Sequence, residues 1–117
     1  MTDGEPILDL AALLHSVGGD GELLDELSGT FVAEAPGWIA ALRAAVSSGD
    51  SAAVFRVAHG VRGAVGYFKA TSIRQVAADL EVMGRDGNLE MASAALDELQ
   101  AKLLELSAFL SSRPWSQ

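Results

Sequence analysis

The sequence offers two imidazoles, His15 and His59, and no cysteine, and by residue type both histidines are available as nucleophiles. A neutral imidazole presents a free ring nitrogen and can attack a phosphorus or carbonyl centre. His59 stands in Ala58-His59-Gly60-Val61-Arg62-Gly63, inside a helical stretch from Asp50 to Phe68. At ~100° per residue, Val54, Val57, Ala58, Val61, Val65 and Phe68 gather on one side of that helix, and His59 points to the other. Gly63 and Gly66 follow beside it, one and two turns on. With Gly60 they make three glycines in one helix, each costing ~0.8–1 kcal/mol relative to alanine. A clearing that lets another protein approach the imidazole accounts for that cost. Arg62, adjacent on the surface, puts a permanent cation where a charged adduct on the ring would sit.

The other reactive residue types lack such surroundings. His15 falls at the end of a short helix, favourable for the helix dipole, with no glycine clearing and no basic neighbour. Phe55, one turn before His59, is either a boundary core residue or an apolar contact for a partner. Tyr67 points away from His59 and reads as packing. Glu22, Asp25, Glu26 and Glu34 read as a solvated helix face rather than metal ligands or an acid–base pair. The chain has no Gly-rich phosphate loop, no HExxH pair, no GxSxG elbow and no nucleotide-binding βαβ pattern, so it cannot use ATP by itself and is not expected to be an enzyme with its own turnover.

The elements that carry these residues read as helices throughout. A short helix is expected from Ile7 to about His15, with Ile7, Leu10, Leu13 and Leu14 inward, ended by Val17-Gly18-Gly19-Asp20-Gly21. A long helix from about Glu22 to Ser48 follows, with a stripe at Leu24, Leu27, Phe31, Ala35, Trp38, Leu42 and Ala45. It is kinked but not divided at Pro36. Ser47-Ser48-Gly49-Asp50 forms a corner, with Gly49 closing one helix and Asp50 capping the next. Ser72-Ile73-Arg74-Gln75 reads as a capping box opening a fourth helix, with Ile73, Val76, Ala77, Leu80 and Met83 inward and Gly84 to Asn88 as the next turn. The last helix, from Asn88 as N-cap, repeats Leu89, Ala92, Leu96, Leu99, Leu103, Leu106 and Leu110. Over some 23 residues it would match the second helix in length. Arg113-Pro114-Trp115 closes the chain as a frayed tail, with Trp115 docked or exposed.

Composition limits the partners. A chain of 117 residues makes a single domain over 1–117, and 50% hydrophobic content with few aromatics suits a helical globule. A net charge of −8 leaves no basic face for nucleic acid. There is no secretory signal, no membrane span and no basic amphipathic helix for a membrane surface, so a cytoplasmic protein is expected. The expected fold is all-α: an antiparallel four-helix bundle from the second to fifth helices, with the short first helix over one end, and a monomer in solution.

The run around His59 resembles the signature of histidine phosphotransfer (HPt) domains of bacterial phosphorelays. In these an exposed histidine is followed by a hydrophobic residue two places on, a basic residue three on and a glycine four on; here these are Val61, Arg62 and Gly63. The family usually has lysine at the Arg62 position and glycine at the Lys69 position. The second departure bears on the turn after the helix, not on the histidine. The likeness extends over nearly the whole chain in the number, order and lengths of helices. It implies a phosphorelay carrier: His59 accepts a phosphoryl group from a receiver-domain aspartate and passes it to another receiver. It also implies that Glu81, across from His59 on the next helix, can hydrogen-bond the imidazole; by residue type alone Glu81 is a surface carboxylate. Arg62 would offset charge on the adduct, and Gly60, Gly63, Gly66 and Phe55 would serve docking. No cofactor is implied on this chain, the Mg2+ belonging to the partner receiver. The alternative is a helical interaction module that binds receivers or kinases without transfer. The short tails favour a free-standing protein.

Overall fold

Three aspartates start three of the helices. Asp9, Asp20 and Asp50 each accept a hydrogen bond from a backbone N–H three residues on, at 3.0, 3.1 and 3.1 Å. Each thereby satisfies one of the donors that a helix N-terminus leaves open. In the computed structural model, which describes residues 7–116, they open α1 (Leu10–Ser16), α2 (Gly21–Ser48) and α3 (Ser51–Tyr67). Helices α4 (Thr71–Asp86) and α5 (Ala92–Ser111) complete the chain, and no strand is present among the described residues.

The apolar stripes become one core. Leu24, Phe31, Leu42 and Ala45 of α2, Val54, Ala58, Val61 and Val65 of α3, Ile73, Ala77 and Leu80 of α4, and Leu96, Leu99, Leu103, Leu106 and Leu110 of α5 are buried. Helix α2 packs against α3 and α5, and α4 against the same two, so the four helices close a ring. Short turns make sequential neighbours antiparallel. The result is the expected antiparallel four-helix bundle, with Leu13 of α1 buried in its core. Helix α2 runs through Pro36 as one element. No helix among the described residues is long and apolar enough to cross a membrane.

Several boundaries differ from the sequence reading, each for a physical reason. Helix α1 begins at Leu10, not Ile7, because Asp9 supplies the cap; Leu13 is buried, while Ile7, Leu10 and Leu14 are only half-buried. Ser72 does not cap α4. The first helical bond runs from Arg74 N–H to the Ala70 carbonyl at 2.9 Å, and fully buried Ala70 stands at the cap with no side-chain bond. Gly84 is not in a turn but inside α4, which continues to Asp86. Helix α5 begins at Ala92, because the Asn88 N–H is tied to the Met83 carbonyl at 3.0 Å and so closes α4 instead of opening α5. At 20 residues α5 is shorter than the 28 of α2.

The C-terminal tail is docked. Arg113 donates from Nε and Nη2 to the Asp25 carboxylate at 2.8 and 2.7 Å, and Trp115 Nε1 donates to the same group at 2.9 Å. Asp25, read as a solvated acid, is therefore the anchor of this clasp, and the Arg113 and Trp115 bonds hold its carboxyl below the usual range.

Candidate functional site

His59 sits mid-way along α3 with its side chain 60% exposed, because the apolar stripe that buries Val54, Ala58, Val61 and Val65 lies on the opposite side. The α3–α4 turn is what brings a partner to it. That turn is a Schellman-type closure, with Lys69 N–H bonded to the Gly66 carbonyl at 3.0 Å and Ala70 N–H to the Val65 carbonyl at 3.2 Å. Lys69 takes φ 63°, the left-handed value that glycine adopts more easily, so the turn keeps its shape with lysine in place.

Folding back, α4 puts Glu81 opposite His59. Glu81 Oε2 lies 2.7 Å from His59 Nδ1, and Arg62 Nε donates to Glu81 Oε1 at 2.5 Å. Glu81 is the least exposed of the three, at 12% of its side-chain surface. Its hydrogen bond with His59, against the opposing effect of burial and with help from Arg62, holds its carboxyl below the ordinary value of 4.5. An ionised carboxylate can only accept, so in a neutral ring this contact favours the tautomer with the proton on Nδ1 and the lone pair on Nε2. Arg62 Nη2, 3.3 Å from Nδ1, accordingly serves the carboxylate, which it approaches at 3.4 Å.

Around this trio the surface is bare on one side. Gly60 and Gly63 are exposed, and a Cβ added at either would meet nothing within 4 Å. Gly66 is different: the Arg74 side chain covers it, with Cδ 3.2 Å from where a Cβ would stand. On the other side the Phe55 ring stacks on the imidazole, centroids 6.0 Å apart and planes 22° from parallel. Phe55 is 36% exposed and so stands at the boundary between core and surface. Tyr67 is 45% exposed and packs edge-on against Phe68. His15 ends α1 as an exposed residue with no hydrogen-bonded side-chain partner among the described residues.

The Hpt domain family matches residues 26–109, a span that includes α3, α4 and the whole His59–Arg62–Glu81 trio. The chain belongs to the Hpt domain family. Hpt domains are phosphotransfer carriers that work with receiver domains, and histidine phosphotransfer is this chain's general role. The fold is shared with the crystal structure of histidine-containing phosphotransfer protein B from Pseudomonas aeruginosa PAO1, at a TM-score of 0.87 and 23% sequence identity, over 97% of this chain and 100% of the other. No curated protein matches the chain significantly.

Sequence reasoning placed Gly84 in the turn after the fourth helix and read Arg74 only as part of a capping box. Neither the contact of Gly84 with α3 nor the reach of Arg74 over Gly66 left a signal, since both depend on tertiary packing.

Proposed function

We propose that His59 is the phosphoacceptor, taking a phosphoryl group from an aspartyl phosphate on one receiver domain and passing it to the aspartate of a second. The observation that carries this reading is the 2.7 Å contact between Glu81 Oε2 and His59 Nδ1, which leaves Nε2 as the nucleophilic nitrogen of an exposed ring. The Nε2 lone pair forms the phosphorus–nitrogen bond as the phosphorus–oxygen bond to the donor aspartate breaks, and that carboxylate leaves with the electron pair. Nδ1 keeps its proton, so the ring gains positive charge, and the Glu81 carboxylate offsets it. The reverse sequence delivers the group to the next receiver. Arg62 holds Glu81 in place and adds a cation near the adduct. Gly60 and Gly63 leave room for the receiver, and Phe55 offers it an apolar edge. The receiver contributes its own Mg2+, and this chain acts as a stoichiometric monomeric carrier.

Incubation with a receiver phosphorylated by a labelled donor tests the assignment. His59→Gln should fold with a change within about 0.5 kcal/mol, as exposed positions allow, and take up no label. His15→Gln should be labelled normally. The adduct on the wild-type protein should be lost in acid and retained in base, as a phosphorus–nitrogen bond requires. Label retained by His59→Gln, or an acid-stable adduct, would overturn the assignment.

A further inference from the structure

Gly84 is buried inside α4, where a glycine costs ~0.8–1 kcal/mol relative to alanine, and its surroundings explain why nothing larger stands there. A Cβ built on it would overlap the backbone nitrogen of Phe55 and come within 2.8 Å of the Phe55 Cα and of the Ser51 carbonyl oxygen. These are backbone atoms, so no rotamer change can relieve the contact. At ordinary separations of 3.5–4.0 Å, alanine would push α4 from α3 by about 1 Å at this point. Every other helical glycine near the site, Gly60, Gly63 or Gly66, has open space or a flexible side chain beside it.

The Gly84 contact lies one turn from the reacting groups. On antiparallel helices, three residues back along α4 from Gly84 is Glu81, and four residues forward along α3 from Phe55 is His59. The close approach and the Glu81–His59 hydrogen bond are thus successive rungs of one helix pair. We infer that Gly84 is a positioning residue for phosphotransfer: by letting α4 lie directly on the α3 backbone at Phe55, it sets the distance across which the Glu81 carboxylate reaches His59 Nδ1. The same contact fixes the backbone of Phe55, whose ring flanks the imidazole. A 2.7 Å hydrogen bond lengthened by about 1 Å is no longer a hydrogen bond. The inference rests on His59 as the phosphoacceptor for its functional consequence, but not for its structural one.

Nitrogen-15 NMR of the imidazoles in the full chain reads the structural part directly, because the two tautomers have distinct ring-nitrogen signatures. Wild-type His59 should be held as the Nδ1–H form. Gly84→Ala, with helical content and a cooperative melt retained, should release His59 to the mixed tautomers of an unrestrained ring, as should Glu81→Ala, which removes the acceptor. Phosphoryl uptake by Gly84→Ala should slow to the level of Glu81→Ala, and the double variant should be no slower than Glu81→Ala alone, since both act through one hydrogen bond. A His59 that stays Nδ1–H in folded Gly84→Ala, or rate losses that multiply in the double variant, would overturn the inference. Should Gly84→Ala not fold, Glu81→Asp decides: it withdraws the carboxylate by one methylene on an unchanged backbone, and persistence of the Nδ1–H form there would show that the spacing is not limiting. Because the tautomer is read without any phosphoryl donor, a wild-type protein that fails to take up label would count against the phosphoacceptor reading and leave the Gly84 result standing.

Discussion

In the proposed transfer, His59, Glu81 and Arg62 divide the work of one reactive group. The imidazole would supply the lone pair, the carboxylate that contacts Nδ1 would offset the positive charge, and the guanidinium holds the carboxylate. Glu81→Gln keeps the shape of the acceptor and removes its charge. Charge-assisted hydrogen bonds exceed neutral ones by about 1–1.5 kcal/mol, so phosphoryl uptake should slow about tenfold, measured as the initial rate from a phosphorylated receiver. The pH dependence of stability has a definite sign. The Glu81 carboxyl is lowered from 4.5 in the folded protein, so its contribution is complete above that unfolded value and is lost as pH falls through the lower folded one. The difference in Tm between wild type and Glu81→Gln should therefore be level above about pH 5 and shrink below it. A difference that widens towards acid would show that Glu81 destabilises the fold as an anion.

At the scale of elements, the α3–α4 turn and the α3 clearing each carry a measurable cost. A non-glycine residue in the left-handed region costs about 1–2 kcal/mol, partly offset by the greater chain entropy that glycine loses on folding. Lys69→Gly should accordingly stabilise the protein by about 0.5–1 kcal/mol and raise Tm by a few degrees in a thermal melt. A lower Tm would mean that the lysine side chain makes compensating contacts. Gly63 has the opposite balance. With nothing within 4 Å of a Cβ, Gly63→Ala should stabilise α3 by up to ~1 kcal/mol. Gly63→Gln should fold equally well and yet slow phosphoryl uptake, because its side chain occupies the receiver's approach. Wild-type transfer by Gly63→Gln would leave the clearing without this purpose.

Charge is distributed unevenly over the whole molecule. Residues 51–86, the α3–α4 pair, hold five of the eight basic residues but only three of the sixteen acidic ones, so the face that carries His59 is net positive on a chain of net charge −8. Of the five, Arg56, Lys69, Arg74 and Arg85 are exposed. Such an arrangement turns the His59 face towards an acidic partner and repels that partner from the rest of the surface. The association rate with a receiver, followed by stopped flow, should fall steeply between low and physiological salt, and Arg56→Glu should lower it further with little change in the dissociation rate. A rate indifferent to salt would show that steering plays no part. At the opposite end of the chain, the Asp25–Arg113–Trp115 clasp ties the tail to α2. Trp115→Ala should lower Tm by removing both a hydrogen bond and ring packing; an unchanged Tm would make the clasp incidental.

Helix number, order and the inward residues were readable from the sequence because three- and four-residue spacing of Leu, Val and Ala is a property of the helix alone, as the fully buried run Leu96, Leu99, Leu106 and Leu110 illustrates. The exposed face of His59 with Arg62, Gly60 and Gly63 followed from the same periodicity, since all four share one helix. What lay between helices did not. The Glu81 carboxylate reaches His59 only because α4 folds back at a given spacing, and neither the distance nor the Nδ1–H tautomer it imposes is encoded in local pattern. Gly84 looked like a turn residue because glycine in a helix is costly; the backbone of Phe55 lying against it supplies the reason it is tolerated. Asp25 looked like a solvated acid because its partners, Arg113 and Trp115, are some ninety residues away and meet it only once α5 has packed on α2. Local spacing determines which face a residue occupies, whereas contacts across the bundle depend on how closely two backbones can approach, and that was decided by the tertiary structure.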